Sequence, residues 1–144
     1  MKKRLFIAIQ YLEIGGAERS LIGLLNAIDY TRYEVDLFVY DHRGEFMSLI
    51  PKAVRLLPEN PAYAAINRPI KDIVKEGLWR VALARIISKI QYAIYYEIHH
   101  PKEGSGIFQY VADCVTPVLP SLKGYGTYDL AISFLTPHNI VRDK

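Results

Sequence analysis

The chain has a single cysteine, a single tryptophan, no strong excess of either charge and no long apolar run. One cysteine, Cys114, allows no intramolecular disulfide and excludes a cysteine-rich zinc site, which fits a reducing compartment. No apolar stretch approaches the ~18 residues of a membrane-spanning helix. The net charge of +3 comes without a dense basic stripe or a nucleic-acid-binding module, so a dedicated nucleic-acid binder is not indicated. The opening "MKKRLFIAIQ" mimics a secretory leader. Its apolar run stops after about six residues, and no small-residue cleavage site follows. A buried strand with a basic start accounts for it better, and the expected location is cytoplasmic. No internal repeat or low-complexity segment is present.

What the chain does have is 51% hydrophobic residues over 144 positions, enough for the core of one domain or a large part of one. "LFIAI" (Leu5–Ile9) is continuously apolar, as a strand covered on both faces should be. Ala17, Leu21, Leu24, Leu25 and Ile28 then recur at helical spacing up to about Asp29. "YEVDLFVY" (Tyr33–Tyr40) predicts a second strand, "EFMSLI" a short helical piece and "AVRLL" (Ala53–Leu57) a third strand. Residues 58–69, with three prolines, predict a loop. A helical region over 70–98 changes its apolar direction around Gly77, which predicts a bend or two helices. A loop (His99–Gly106), a short helix ending near Pro117, a fourth strand (Tyr128–Leu135) and the start of a further element complete the chain.

This alternation predicts an α/β fold, a Rossmann-like open parallel sheet of about four strands with helices on both faces. Right-handed crossovers give the spatial order third, second, first, fourth. The order reverses between the first and fourth strands, and the crevice at their C-terminal ends is where such sheets bind ligands.

The stretch "YLEIGGAERS" belongs at that crevice. Gly15 and Gly16 allow positive φ and close approach to the backbone. The helix behind them directs unpaired N–H groups toward the crevice, suited to phosphate or carboxylate. Glu18 complements the helix dipole or hydrogen-bonds a hydroxyl-bearing substrate. The plain alternative is a tight strand-to-helix turn with Glu18 and Arg19 solvated. The stretch is neither a P-loop nor a G-x-G-x-x-G fingerprint, so a nucleotide-dependent oxidoreductase has little support.

An apolar first strand, "GGAERSL", a second strand and then "GEFMSLIPKAVRLL" together resemble the opening of family-4 glycosyltransferases of the GT-B fold. Gly44, Leu49, Pro51 and Val54 are similar to the segment leading into that family's third strand, and "YDLAISF" to its fourth. The resemblance covers roughly residues 4–57 and 128–135. It implies that 1–144 is part of an N-terminal, acceptor-side domain without the C-terminal donor-binding domain, so that this piece alone is inactive. The implied reaction moves a sugar from a nucleotide-sugar to the hydroxyl of a glycan or lipid-linked glycan acceptor. It is metal-independent and retaining, with no cofactor beyond the donor substrate. Gly15, Gly16 and Glu18 are the implied substrate- and donor-binding residues, and His138 a candidate catalytic or substrate-contacting residue. The reading from a different class is a small non-catalytic flavodoxin-like module that binds a protein partner.

Other candidates have plainer readings. His99 and His100 are adjacent and lack a carboxylate cluster, so they read as loop residues rather than metal ligands. Asp41, His42 and Arg43 follow the second strand, with Asp41 read as a turn former. Cys114 has no His or Lys near it in sequence and reads as an idle thiol. In the long helix, Trp79, Leu83, Ile86, Ile87, Ile90 and Ile94 form an apolar stripe, and Arg85, Ser88, Lys89, Tyr92 and Tyr96 lie opposite. A basic amphipathic segment with Trp and Tyr can lie on the inner face of an anionic membrane, with Lys71, Lys75, Arg85 and Lys89 as candidate contacts. The plainer reading packs the stripe on the sheet and leaves a solvated basic face.

Overall fold

A computed structural model describes residues 1–101 and 106–143, except for the side chains of residues 138, 139 and 143. Four parallel strands form one sheet in the order β3-β2-β1-β4, the order expected: β1 (Lys3–Ile9), β2 (Tyr33–Val39), β3 (Arg55–Leu56) and β4 (Leu130–Ser133). The helices are α1 (Gly16–Ala27), α2 (Pro61–Ala64), α3 (Ile70–Lys75), α4 (Trp79–His99), α5 (Ile107–Val115) and α6 (His138–Asp143). A 3-10 turn spans Glu45–Leu49.

Alternation along each strand splits the core into two layers. Ile7 and Ile9 of β1 and Val35, Leu37 and Val39 of β2 face α1, where Leu21 and Leu25 are fully buried. Phe6, Ala8, Phe38 and Tyr40 face the other way, toward Tyr63, Ile73, Val81, Ala82 and Val115. The rings of Phe38 and Tyr63 meet edge to face at 5.0 Å, an arrangement favoured by the ring quadrupoles. Helices thus cover both faces, as the crossover rule requires when the chain reverses direction between β3 and β4.

Gly77, at φ 78, breaks the helical region into α3 and α4, as the shift in apolar direction predicts. The proline-rich stretch, for which the sequence predicts a loop, contains α2, begun by Asn60, whose side chain accepts from the Ala62 N–H at 3.1 Å, with Pro61 in the first turn. The long helix continues through His99, one residue into the stretch read as a loop. The rest of that loop, at residues 102–105, lies outside the described residues.

One expectation is reversed. α4 packs inward through Val81, Ala82, Ala84 and Ser88, while Trp79, Leu83, Ile86, Ile87, Ile90 and Ile94 are exposed. Small side chains let α4 lie close against its neighbours, above all α5, and the bulky isoleucines are left outside. Leu24 of α1, counted on the apolar face, is likewise exposed.

Asp36 is the notable polar group of the core. It is 4% exposed, accepts from Arg55 Nε at 2.7 Å and from Tyr128 Oη at 2.7 Å, and pairs with Arg4 at 3.0 Å. Burial pushes its carboxyl up. The hydrogen bonds from Arg55 and Tyr128, with the charges of Arg55 and Arg4, outweigh that and hold it below the usual carboxylate range. This network ties β1, β2, β3 and the approach to β4 together, in the half of the sheet away from the strand C-termini.

Candidate functional site

The loops leaving the C-terminal ends of β1 and β2 are joined to each other. Leu12 N–H donates to Arg43 O at 2.9 Å, and Phe46 N–H donates to Leu12 O at 2.9 Å. Gly44, at φ 113, makes this approach possible: a Cβ there would lie 2.1 Å from Leu12 O and 2.3 Å from Glu13 N. Arg43 reinforces the join through Glu13 at 3.0 Å and lies over the Tyr11 ring at 4.9 Å. Asp41, nearly buried, pairs with Arg68 at 3.1 Å and more loosely with Arg43 at 3.9 Å, and Arg68 also reaches Glu59 at 3.2 Å. Asp41 is therefore an ionic anchor between the β2 end and the residue 59–68 segment, more than the turn former expected.

Beside this anchor lies a cavity of about 410 Å³ at the reversal between β1 and β4. Gln10 at the end of β1, Tyr40 at the end of β2 and Leu135, Thr136 and Pro137 after β4 line it. Asn67 and Ile66 form one wall, and α5 another through Phe108, Val111 and Val115. The walls are mostly apolar, with an amide or hydroxyl at each strand end. Tyr40 is fully buried, and burial pushes its phenol up to about 12. Its hydroxyl makes no hydrogen bond of proper geometry; the nearby Thr136 hydroxyl is engaged with Ser133. Leu135 has φ 52, a left-handed backbone uncommon for a leucine, held at the cavity rim. A larger hollow of about 590 Å³ sits at the opposite end of the strands among Lys2, Arg4, Asp36 and Arg55. Its one buried charge, Asp36, is already satisfied by Arg4 and Arg55, so the smaller cavity is the better candidate.

The segment bearing Ile66 and Asn67 is held from behind by Arg85, which donates to Ala65 O at 2.9 Å and to Arg68 O. Burial lowers the Arg85 pKa. Arg85 is thus turned inward to carbonyl oxygens and does not stand on a solvated face. Lys71, Lys75 and Lys89 are exposed.

Gly15 has φ −160 and Gly16 is the first residue of α1, so neither uses the positive φ anticipated for it. Their small size matters in two other ways. A Cβ on Gly15 would lie 2.2 Å from Glu18 Oε2, which shows the Glu18 carboxylate folded back over the start of α1. A Cβ on Gly16 would meet nothing within 4 Å, so that surface is open. His138 begins α6 after the cavity rim, and its side chain lies outside the described residues.

His42 is half-buried with Nε2 shielded and unpaired, and its backbone N–H donates to Glu59 at 2.6 Å. His99 stacks on Tyr95 at 4.4 Å, and His100 caps α4 in a left-handed conformation, roles of helix termination. Cys114 donates to Gln91 Oε1 at 3.2 Å, and burial with the charge of Asp113 raises its thiol pKa. Among the described residues no group of three His, Cys, Asp or Glu side chains could hold a metal ion, and no helix is long and apolar enough to cross a membrane. Tyr40, Asn67 and Thr136 were not marked as site residues by sequence reasoning, and Arg85 was marked only as a candidate membrane contact. Their signal is topological, since they become neighbours only once the strand order is known.

In comparisons with family models, curated proteins and solved structures, the chain matches none.

Proposed function

We propose that this chain is an N-terminal, acceptor-side portion of a glycosyltransferase of the GT-B type, acting with a donor-binding domain on a nucleotide-sugar. The observation that carries the reading is the cavity of about 410 Å³ at the β1/β4 reversal, whose mostly apolar walls include the amide-bearing residues Gln10 and Asn67 and the hydroxyl-bearing Thr136. Such a lining suits a neutral, hydroxyl-bearing acceptor with an apolar portion, a glycan or a lipid-linked glycan. In the reaction, an acceptor hydroxyl oxygen bonds to the anomeric carbon, the bond from that carbon to the diphosphate oxygen breaks, and the nucleoside diphosphate leaves with the bonding pair. The acceptor proton is passed to a base, and no residue here is assigned that role. The chain's part is to bind and orient the acceptor and, through Gly16 and Glu18, to form one wall of the donor cleft.

The test is release of nucleoside diphosphate from a panel of nucleotide-sugars by the intact gene product, with lipid and glycan extracts as acceptors. Release that falls at least tenfold in Gly16→Val supports the reading. Release unaffected by Gly16→Val removes the glycine loop from the site. No release with any donor favours a non-catalytic binding module. The exposed edge strand β4, where Leu130 is 52% accessible, is the feature that keeps that second reading in view.

A further inference from the structure

α4 has two apolar sides. The small-residue side is packed, and on the other side Trp79, Leu83, Ile86, Ile90, Ile94 and Ile98 are between 41% and 67% exposed. Over its 21 residues the helix is about 30 Å long, so the stripe is a continuous apolar band rather than scattered exposed side chains. Bands of that extent are uncommon on water-facing surfaces and mark a contact.

The charges around the band indicate what it contacts. Arg80 and Lys89 flank it on α4, and Lys71 and Lys75 stand exposed on α3. Of the nearby carboxylates, Glu76 lies 3.8 Å from Arg68, Asp72 is half-buried in the first turn of α3, and Glu97 is the only one on α4. The outward charge along this surface is therefore positive. Trp79 at one end and the half-exposed Tyr96 near the other are amphipathic aromatics of the kind that settle at a lipid–water boundary. The flanking Lys and Arg can lay their methylene stems on the apolar band while their charged heads reach lipid phosphates.

We infer that α4 is an interfacial helix that lies in the surface of an anionic bilayer, inserting Trp79, Leu83, Ile86, Ile90 and Ile94 between the lipids. This rests on the exposed band and its charges and stands whether or not the chain belongs to a transferase. Of the membrane contacts expected from sequence, Arg85 drops out, because it points inward to carbonyl oxygens.

Trp79 is the only tryptophan, so its emission reports on this helix alone. The protein is mixed with vesicles of phosphatidylglycerol and phosphatidylcholine, and separately with phosphatidylcholine only. Sedimentation with the anionic vesicles, a shift of Trp79 emission to shorter wavelength and its protection from an aqueous quencher are expected. Changing Ile86, Ile90 and Ile94 together to Ser should lower partitioning about a hundredfold. These side chains are exposed, so the circular dichroism spectrum should be unchanged. Arg80→Glu with Lys89→Glu should weaken binding and remove the preference for anionic lipid. Wild-type protein that stays in the supernatant with unshifted Trp79 emission overturns the inference. So does a concentration-dependent dimer, abolished by the serine variant, that forms instead of vesicle binding.

Discussion

Replacing Gly44 with Ala tests how the candidate site is held together. Gly44 has φ 113, and left-handed strain in a residue with a Cβ costs about 1–3 kcal/mol. The added Cβ would fall 2.1 Å from Leu12 O, a backbone atom that cannot rotate away. Relief requires separating the β1 and β2 loops, which breaks the bonds Leu12 N–H to Arg43 O and Phe46 N–H to Leu12 O. At about 1 kcal/mol each, these bring the expected loss to about 3–5 kcal/mol, a large part of the ~5–15 kcal/mol that holds a domain folded. Gly16→Ala is the matched control: Gly16 is helical with open space at its Cβ position, so stability should stay within about 0.5 kcal/mol or rise slightly. Urea unfolding followed by circular dichroism measures both. A Gly44→Ala midpoint indistinguishable from wild type would refute the close approach of the two loops.

Asp36→Asn should cost about 2–3 kcal/mol, because it weakens a buried carboxylate network and leaves Arg4 and Arg55 undercompensated. The Asp36 pKa is depressed in the fold, so its contribution is present above the unfolded value of ~3.9 and is lost as pH falls through the folded value; thermal melts of the variant should be flatter than wild type below about pH 4. Arg85→Met should lower stability by about 1–3 kcal/mol and speed amide exchange around residues 65–68, whose carbonyls Arg85 binds; unchanged exchange there would remove Arg85 as the support of that wall. Tyr40→Phe deletes a buried hydroxyl without a hydrogen bond, so stability should hold or rise by up to about 1 kcal/mol, and a clear drop in the melt would mean the hydroxyl has a partner.

The sheet was legible because doubly covered parallel strands leave continuous apolar runs, and β1 and β2 carry them. Strand order followed from crossover handedness alone. β3 is only two residues, and its pattern overstated it because Leu57 is buried just past the ladder. The packing side of α4 was misread for a physical reason. Periodicity weighs bulk, whereas close helix packing selects small residues, and Ala82, Ala84 and Ser88 carry little hydrophobic signal. Asp36 was invisible as a core residue because its partners come from positions 4, 55 and 128. In the candidate site, the glycine pair drew attention, but Gly44 is the glycine whose backbone conformation the fold requires.

Glu18 narrows what the glycine loop can hold. Its carboxylate already lies over Gly15 at the start of α1. A phosphate placed there gains about 0.3–1 kcal/mol from the helix dipole. At ~4 Å from Glu18, with an effective dielectric near 20, it meets a repulsion of about 4 kcal/mol. Repulsion wins unless Glu18 swings away. A sugar hydroxyl has no such conflict, because it can donate to the carboxylate while the open surface at Gly16 admits the ring. With Glu18 in this position, the loop would favour a neutral, hydroxyl-bearing group, and in the proposed transferase a donor's diphosphate would have to be held elsewhere.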